Sequence, residues 1–258
     1  MSVAPTEAAR VFVLNRYNKV GFDEFPGIMP STLDEAYAIQ DAAIAEWNSP
    51  VVGWKVGRII GEMENRLGEN RFLGPIFEED VWPLETGAPM PFPKIRGGFA
   101  ALEAELVARI AAPGDRADWT AQDCAGLVQA WHAGIEAAGS PLATINDLGP
   151  LASIAGFGNN MGLILGPQIA ITDPDAVEAT STIGDTTFGP RAAGQLPGGA
   201  LEAIAFALNR LARMGETVPE GCLISTGAVT GVHVVEEGQA CRVEFAGHAV
   251  LECVVTAP

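Results

Sequence analysis

Two glutamates separated by one alanine, Glu103 and Glu105, lie inside the apolar run "GFAALEAELVARI" (Gly98 to Ile110). Phe99, Leu102, Leu106, Val107 and Ile110 surround them. Side chains of a strand alternate between its two faces, so this spacing points both carboxylates into the same space. Like charges so close repel, and the arrangement gains a chemical use if a divalent cation sits between them. Hard cations such as Mg2+ and Ca2+ take oxygen ligands, and Mg2+ is usually held by few carboxylates together with water and substrate. Without an ion, the same pair is two solvated acids on an exposed edge strand. Glu136, in "HAGIEAAGS", is an isolated carboxylate just ahead of a turn. It is a candidate third ligand, although by itself it reads as a surface residue.

Lys55 is the next chemical residue. It stands in "VVGWKVG", an apolar segment with Gly53 and Gly57 on either side. One reading is a lysine on the wet face of a half-buried strand. The other is a cation or proton donor at a site, with a pKa open to tuning by burial. Flanking glycines would let the backbone pass close to a ligand. His132, His233 and His248 are scattered and form no metal-like pair. Ser225, in "ISTGAVTG", lacks the GxSxG elbow of a hydrolase. "GFGNNMG" (Gly156 to Gly162) has the glycines of a phosphate-cradling loop, but no convincing helix follows it, so a dinucleotide site is not expected.

These residues need elements to hold them. Residues 1–50 read as a helical segment packing on a core that spans residues 51–258. "PSTLDEAYAIQDAAIAEW" has near-helical apolar spacing, with Ser31 or Thr32 as a cap and Asp34 and Glu35 in the first turn. Residues 51–112 are β-rich and broken by glycine and proline. A short helix is expected over 120–133, and short strands with turns from there to 190. "PGGALEAIAFALNRLARMGE" has apolar residues at i, i+3, i+4 and i+7 and ends at Gly215, a helix stop. The last 40 residues read as strands broken at Gly231, Gly238 and Gly247. The alternation is too irregular for a doubly wound sheet. An α+β fold is expected, a mixed and mostly antiparallel β-roll or barrel with peripheral helices.

Composition limits the partners. The chain has 258 residues and a formal net charge of −17, with 48% hydrophobic residues. That is enough to bury a substantial core and too apolar for disorder. An acidic surface repels nucleic acid and anionic membranes, so neither is an expected partner. A small anion needs local cations or a metal to reverse the field. Four cysteines, Cys124, Cys222, Cys241 and Cys253, form no CxxC pair, which argues against zinc. No apolar run is long enough to span a bilayer and no secretory h-region follows the first Met, so a cytoplasmic protein is expected.

Several stretches, in order, match a known pattern. The chain resembles the hydratase and decarboxylase branch of the fumarylacetoacetate hydrolase superfamily, typified by 2-keto-4-pentenoate hydratase and 4-oxalocrotonate decarboxylase. "LDEAYAIQ" is similar to its N-terminal helix motif, "VGWKVG" to its lysine-bearing strand, and "RFLGPIFEEDVW" to its glycine–hydrophobic loop. "LEAEL" is similar to its paired-glutamate metal motif, and "GIEAAGS" stands in the place of its third glutamate. "ALNRLARMGE" and "GCLISTGAVTG" resemble the late helix and the strand–turn after it. The resemblance implies a fumarylacetoacetate hydrolase-like β-roll, homo-oligomers, Mg2+ or Mn2+, and a role in aromatic catabolism. It implies Glu103, Glu105 and Glu136 as metal ligands and Lys55 as the catalytic residue beside the substrate. Ser225, Thr226 and the Gly227 backbone would lie near the substrate carboxylate, and Arg58 is a further candidate for binding that anion. The substrate class would be a small 2-keto acid or 2-hydroxydienoate. Chelation of its carboxylate and keto oxygen would stabilise enolate charge, which serves hydration or decarboxylation alike.

The sequence also departs from that pattern. Gly156 and Phe157 stand where the family has an Asp-Asn pair. Gly139 and Pro141 stand where it has an aspartate and an arginine. Arg58-Ile59-Ile60 replaces a Leu-Thr-Ser run. Part of the shell around the ligands is therefore expected to be lost, and such groups orient the ligands. Two other readings follow: an acylpyruvate C–C hydrolase, disfavoured because no histidine lies near the N-terminal motifs, and a catalytically weakened scaffold subunit that stabilises a pathway partner enzyme.

Overall fold

The computed structural model describes residues 5–85 and 87–257. Helices α1 (Pro5–Asn18) and α2 (Leu33–Glu46) open the chain. The first sheet contains β1 (Val51–Arg58), β2 (Arg71–Phe77), β3 (Val81–Pro83), β5 (Phe99–Ile110), β6 (Val128–Ser140), β7 (Asn160–Ile169), β10 (Leu223–Ser225) and β11 (His233–Val234). The second contains β4 (Met90–Pro93), β8 (Glu178–Ile183), β9 (Thr186–Ala192), β12 (Ala240–Phe245) and β13 (Ala249–Thr256). Short helices α3 (Glu62–Leu67), α4 (Ala121–Ala125), α5 (Ile145–Leu148) and α6 (Pro150–Ala155) lie between strands, and α7 (Gly199–Met214) is the longest. The first sheet runs β2-β1-β10-β5-β6-β7-β3 with β11 on β5, and the second runs β4-β13-β12-β8-β9. Among the named strands of the described residues, β1–β10, β13–β4 and β3–β7 pair in parallel and the other pairs are antiparallel. This is the expected mixed, mostly antiparallel α+β fold.

The helix signals act locally and hold. The Thr32 hydroxyl accepts from the Glu35 amide at 3.2 Å and caps α2. In α7, Ala203, Ile204, Ala207, Leu208 and Leu211 are buried on one face, and Gly215 ends the helix at φ 78°. Fully burying one such leucine or isoleucine contributes about 1.5–3 kcal/mol. Gly231, Gly238 and Gly247 all have positive φ, which explains where the C-terminal strands break.

The helix expected over 120–133 is a correction. Only Ala121–Ala125 is helical, held by a reciprocal Thr120–Asp123 capping box. From Val128 the chain is strand, because its backbone pairs with β5 from Ile110 back to Phe99. Long-range pairing overrode a helical spacing of apolar residues. A further departure is α6, a buried helix within a stretch expected to be only strands and turns. Helices α1 and α2 bury Phe12, Ile39 and Ala43 in a cluster with Phe77, Ile145 and Phe157. No helix of the described residues is long and apolar enough to cross a membrane.

Candidate metal centre

Register puts the centre on one face of the first sheet. Glu103 and Glu105 are two apart on β5, and Glu103 pairs directly with Glu136 on β6. Ser225 of β10 pairs with Val107, two residues beyond Glu105 on the same face. Lys55 of β1 pairs with Ser225. Alternation and pairing thus converge three carboxylates, a hydroxyl and an ammonium without help from any loop. One ligand oxygen from each glutamate lies within 4.8 Å of the others. All three glutamates and Lys55 are buried. Glu136 is therefore not the surface residue that its flanks suggested: it lies mid-strand with no exposed area.

The hydrogen bonds leave oxygens free. Ser225 Oγ donates to Glu105 Oε2, and the Gly227 amide donates to the same oxygen at 3.0 Å. Gly227 turns its amide inward from φ 117°, a conformation that glycine adopts without steric cost. Glu136 Oε1 accepts from Asn160 Nδ2 at 3.1 Å and pairs with Lys55 Nζ at 3.1 Å. Glu105 Oε1 and Glu136 Oε2 are buried and have no partner. Orphaned buried carboxylate oxygens are costly. Three ionised carboxylates and one ammonium also leave two negative charges uncompensated. A hard dication satisfies both demands, so this oxygen set fits Mg2+, Mn2+ or Ca2+.

Titration follows the crowding. Burial pushes the Glu103 carboxyl up to about 7, against the pull of Lys55 and with repulsion from Glu136. Burial and then the charges of Glu136 and Glu103 raise Glu105 well above the usual range. Burial disfavours the Lys55 ammonium, but Glu136, Glu103 and Glu105 together outweigh it and its pKa rises.

The centre opens into a cavity of about 520 Å³, with Glu103 and Lys55 at its floor. Arg58 lines it, as do Arg191 from the second sheet and Asn159. Ser225 and Thr226, also singled out by sequence, do not line the cavity. The Ser225 hydroxyl is committed to Glu105, and the Thr226 hydroxyl donates to the Leu106 carbonyl at 2.9 Å. None of the three histidines lines the cavity. His132 Nδ1 lies 3.0 Å from the Gly166 carbonyl, and His233 stacks on Phe188.

Sequence reasoning missed three groups. Asn160 belongs to the "GFGNNMG" stretch, in which the sequence reading rejected a dinucleotide site and named no other role. Phe157, Gly158 and Asn159 all have φ between 57° and 68°, an unusual run that turns Asn159 toward the cavity and starts β7 with Asn160 on Glu136. A buried phenylalanine in that region stores about 1–3 kcal/mol of strain, offset by packing against Trp47 and Phe77. Gly158 lies against Gly74 so closely that a Cβ on it would sit 2.3 Å from the Gly74 Cα. Arg16, from α1, is buried among Trp47, Phe77 and Phe157. It donates to the Asn160 carbonyl at 2.7 Å and pairs with Asp80 at 2.6 Å. The hydrogen bonds around Glu136 thus come from an amide three residues beyond Phe157, itself held by a guanidinium from the N-terminal helix. At Gly139 there is no room for an aspartate, since a Cβ would lie 2.5 Å from Met161 Cγ. The one sequence signal available was the Asn-Asn pair among glycines; Arg16 had none.

No protein-family model matches the chain, and no curated protein matches it in sequence. Solved structures do. 4-Oxalocrotonate decarboxylase from Pseudomonas putida G7, complexed with magnesium and adipate, is 18% identical with a TM-score of 0.82, covering 97% of each chain. Its complex with calcium and acetate gives 19% identity and a TM-score of 0.81 over 97% of this chain and 96% of that one. Fumarylpyruvate hydrolase from Pseudomonas aeruginosa, in complex with Mn2+ and pyruvate, is 18% identical with a TM-score of 0.60, covering 83% and 93%. At such identities the likeness shows the fold alone, and this chain shares that fold with 4-oxalocrotonate decarboxylase over nearly its whole length.

Proposed function

We propose that the protein is a divalent-metal-dependent lyase of the 2-keto-4-pentenoate hydratase and 4-oxalocrotonate decarboxylase branch, acting on a 2-keto acid or its 2-hydroxydienoate form. The observation that carries this reading is the convergence of Glu103, Glu105 and Glu136 within 4.8 Å beside Lys55, with Glu103 and Lys55 lining a cavity of about 520 Å³. A divalent cation there supplies Lewis acidity that stabilises negative charge on a bound 2-keto acid. Glu103, Glu105 and Glu136 hold it. Ser225 and Gly227 fix the Glu105 carboxylate from one side, and Asn160 fixes Glu136 from the other. Lys55 Nζ carries positive charge on the cavity floor and presents N–H groups to substrate oxygens or to a proton-accepting carbon. Burial of all four groups excludes bulk water from the reacting end. Mg2+ or Mn2+ is the proposed ion, and a homo-oligomer, cytoplasmic, the proposed form.

The C–C hydrolase reading gains a fumarylpyruvate hydrolase among similar folds, but no histidine lines the cavity to activate water. The test is an assay of the purified chain with Mg2+ or Mn2+ on 2-hydroxypenta-2,4-dienoate, 2-oxohex-3-enedioate and an acylpyruvate. Loss of dienol absorbance reports hydration, released CO2 reports decarboxylation, and two acids report C–C cleavage. Turnover of either of the first two that disappears with EDTA and in Glu103→Gln supports the proposal. Turnover of the acylpyruvate alone, or activity indifferent to EDTA, rejects it.

A further inference from the structure

A buried side chain in the cavity wall has an unpartnered oxygen and stands on a strained backbone. Asn159 lines the cavity of about 520 Å³ together with Lys55 and Glu103. The residue is 6% exposed, and its Oδ1 is buried with no hydrogen-bond partner among the described residues. Its φ is 57°, in the left-handed region that glycine favours, and it follows Phe157 at 58° and Gly158 at 68°. An orphaned buried amide oxygen costs free energy, and so does a left-handed backbone on a residue with a side chain. For Phe157 the strain is offset by aromatic packing against Trp47 and Phe77. The Asn159 amide oxygen has no such compensation.

The turn that carries Asn159 is packed onto the lysine strand. Gly74 of β2 pairs with Lys55 of β1. A Cβ on Gly74 would lie 2.6 Å from the Gly158 Cα, 2.7 Å from the Phe157 carbonyl oxygen and 3.1 Å from the Lys55 Cγ. The backbone just before Asn159 and the stem of Lys55 therefore meet over one glycine. The residue after it, Asn160, donates from Nδ2 to the same Glu136 oxygen that Lys55 Nζ pairs with. Asn159 is thus held between a glycine packed on the lysine strand and an asparagine bonded to Glu136.

We propose that Asn159 is a substrate-binding residue, whose side-chain amide hydrogen-bonds the head of the 2-keto acid beside Lys55. This rests on the proposed function, which puts that head at the glutamates. An amide carries one acceptor oxygen and an NH2 donor. It accepts from the hydroxyl of a 2-hydroxydienoate and donates to a carboxylate or keto oxygen, so it suits both forms of the substrate. It does so without adding charge to a centre that already has a surplus of negative charge. An aspartate of the same shape tolerates the left-handed backbone as well, but it would repel the anion. A ligand that pairs with Oδ1 removes the cost of leaving that oxygen orphaned.

The test separates binding from stability, with pyruvate, a minimal 2-keto acid, as the probe. Pyruvate is titrated into the Mn2+-loaded full chain, and the electron paramagnetic resonance of the bound Mn2+ reports ligands that reach the ion. N159G is expected to weaken pyruvate about tenfold, while Mn2+ affinity stays within about twofold of the wild type. Its melting temperature is expected to hold or rise, because glycine adopts a φ of 57° without steric cost and the orphan oxygen is gone. A residue kept only for the fold would show the reverse, a lower melting temperature with unchanged pyruvate binding. N159D keeps the size of the side chain and the turn, and is expected to weaken pyruvate more than N159G does. Pyruvate affinity within about twofold of the wild type in both variants overturns the role of Asn159 and leaves the reading of the centre intact. A loss of Mn2+ affinity in N159G as large as its loss of pyruvate affinity also overturns the role, since Asn159 would then support the metal ligands instead of the substrate. A wild-type Mn2+ signal that pyruvate does not change overturns the reading of the centre and this role with it.

Discussion

The glutamate centre and the rest of the cavity beside it are built in different ways. The centre draws Lys55, Ser225, Glu105, Glu103 and Glu136 from four strands that are neighbours in one sheet. Each position is fixed by ladder hydrogen bonds, so the groups cannot separate without breaking the sheet. The rest of the cavity lining takes Arg58 from the last residue of a strand and Arg191 from the second sheet. Its geometry depends on how the two sheets pack, and both side chains are only half-buried. The lesson is that a site that must crowd like charges is placed on adjacent strands, where the backbone supplies the constraint.

That contrast can be broken most forcefully at the ligands. Glu105→Gln removes a charge and one of the proposed oxygen ligands, and its expected effect is a loss of Mg2+ affinity beyond the roughly 10–100-fold typical of outer-shell changes. Calorimetric titration of Mg2+ measures it; near-normal affinity would show that the glutamates do not hold the ion. Lys55→Met separates chemistry from metal binding. Turnover should fall by roughly 10²–10⁴-fold, while Mg2+ affinity holds or rises because a nearby positive charge is gone. Retained turnover would return Lys55 to a purely structural role.

Smaller effects sharpen the difference. Asn160→Ala removes the second bond to Glu136 Oε1 and should weaken Mg2+ by about 10–100-fold, whereas Arg191→Gln, on the cavity wall, should not weaken it. If both weaken the ion equally, the centre and the rest of the cavity are not independent. The smallest effect is on stability. Glu103 titrates near 7 in the folded chain and lower when unfolded. A raised carboxylate pKa favours the folded state most below the unfolded value, and that contribution is lost as pH rises toward about 7. In EDTA the melting temperature should therefore fall between about pH 5 and pH 7, and the slope should flatten in Glu103→Gln. Mg2+ at a hundred times its Kd should restore about 2.7 kcal/mol at neutral pH. An EDTA profile identical in the wild type and Glu103→Gln would show that Glu103 is not under this strain.

What the sequence determined by itself is local. A one-residue gap in a strand puts Glu103 and Glu105 on one face whatever the rest of the chain does. Thr32, Thr120 and Gly215 mark helix ends because capping involves neighbours a few residues away. Apolar periodicity located α7, and positive-φ glycines located the C-terminal turns. Only tertiary structure decided the rest. Glu136 looked like a surface acid because nothing near it in sequence reveals that β6 pairs it with Glu103. The helical spacing of residues 120–133 lost to that same pairing. Asn160, Arg16 and Arg191 reach the site from 24, 120 and 55 residues away from Glu136, as their numbers show, and no spacing rule connects them. The physical reason is that local preferences amount to about 1 kcal/mol per residue or less, while strand register is set by burial summed over a whole sheet face. Which carboxylates meet is a property of that sum.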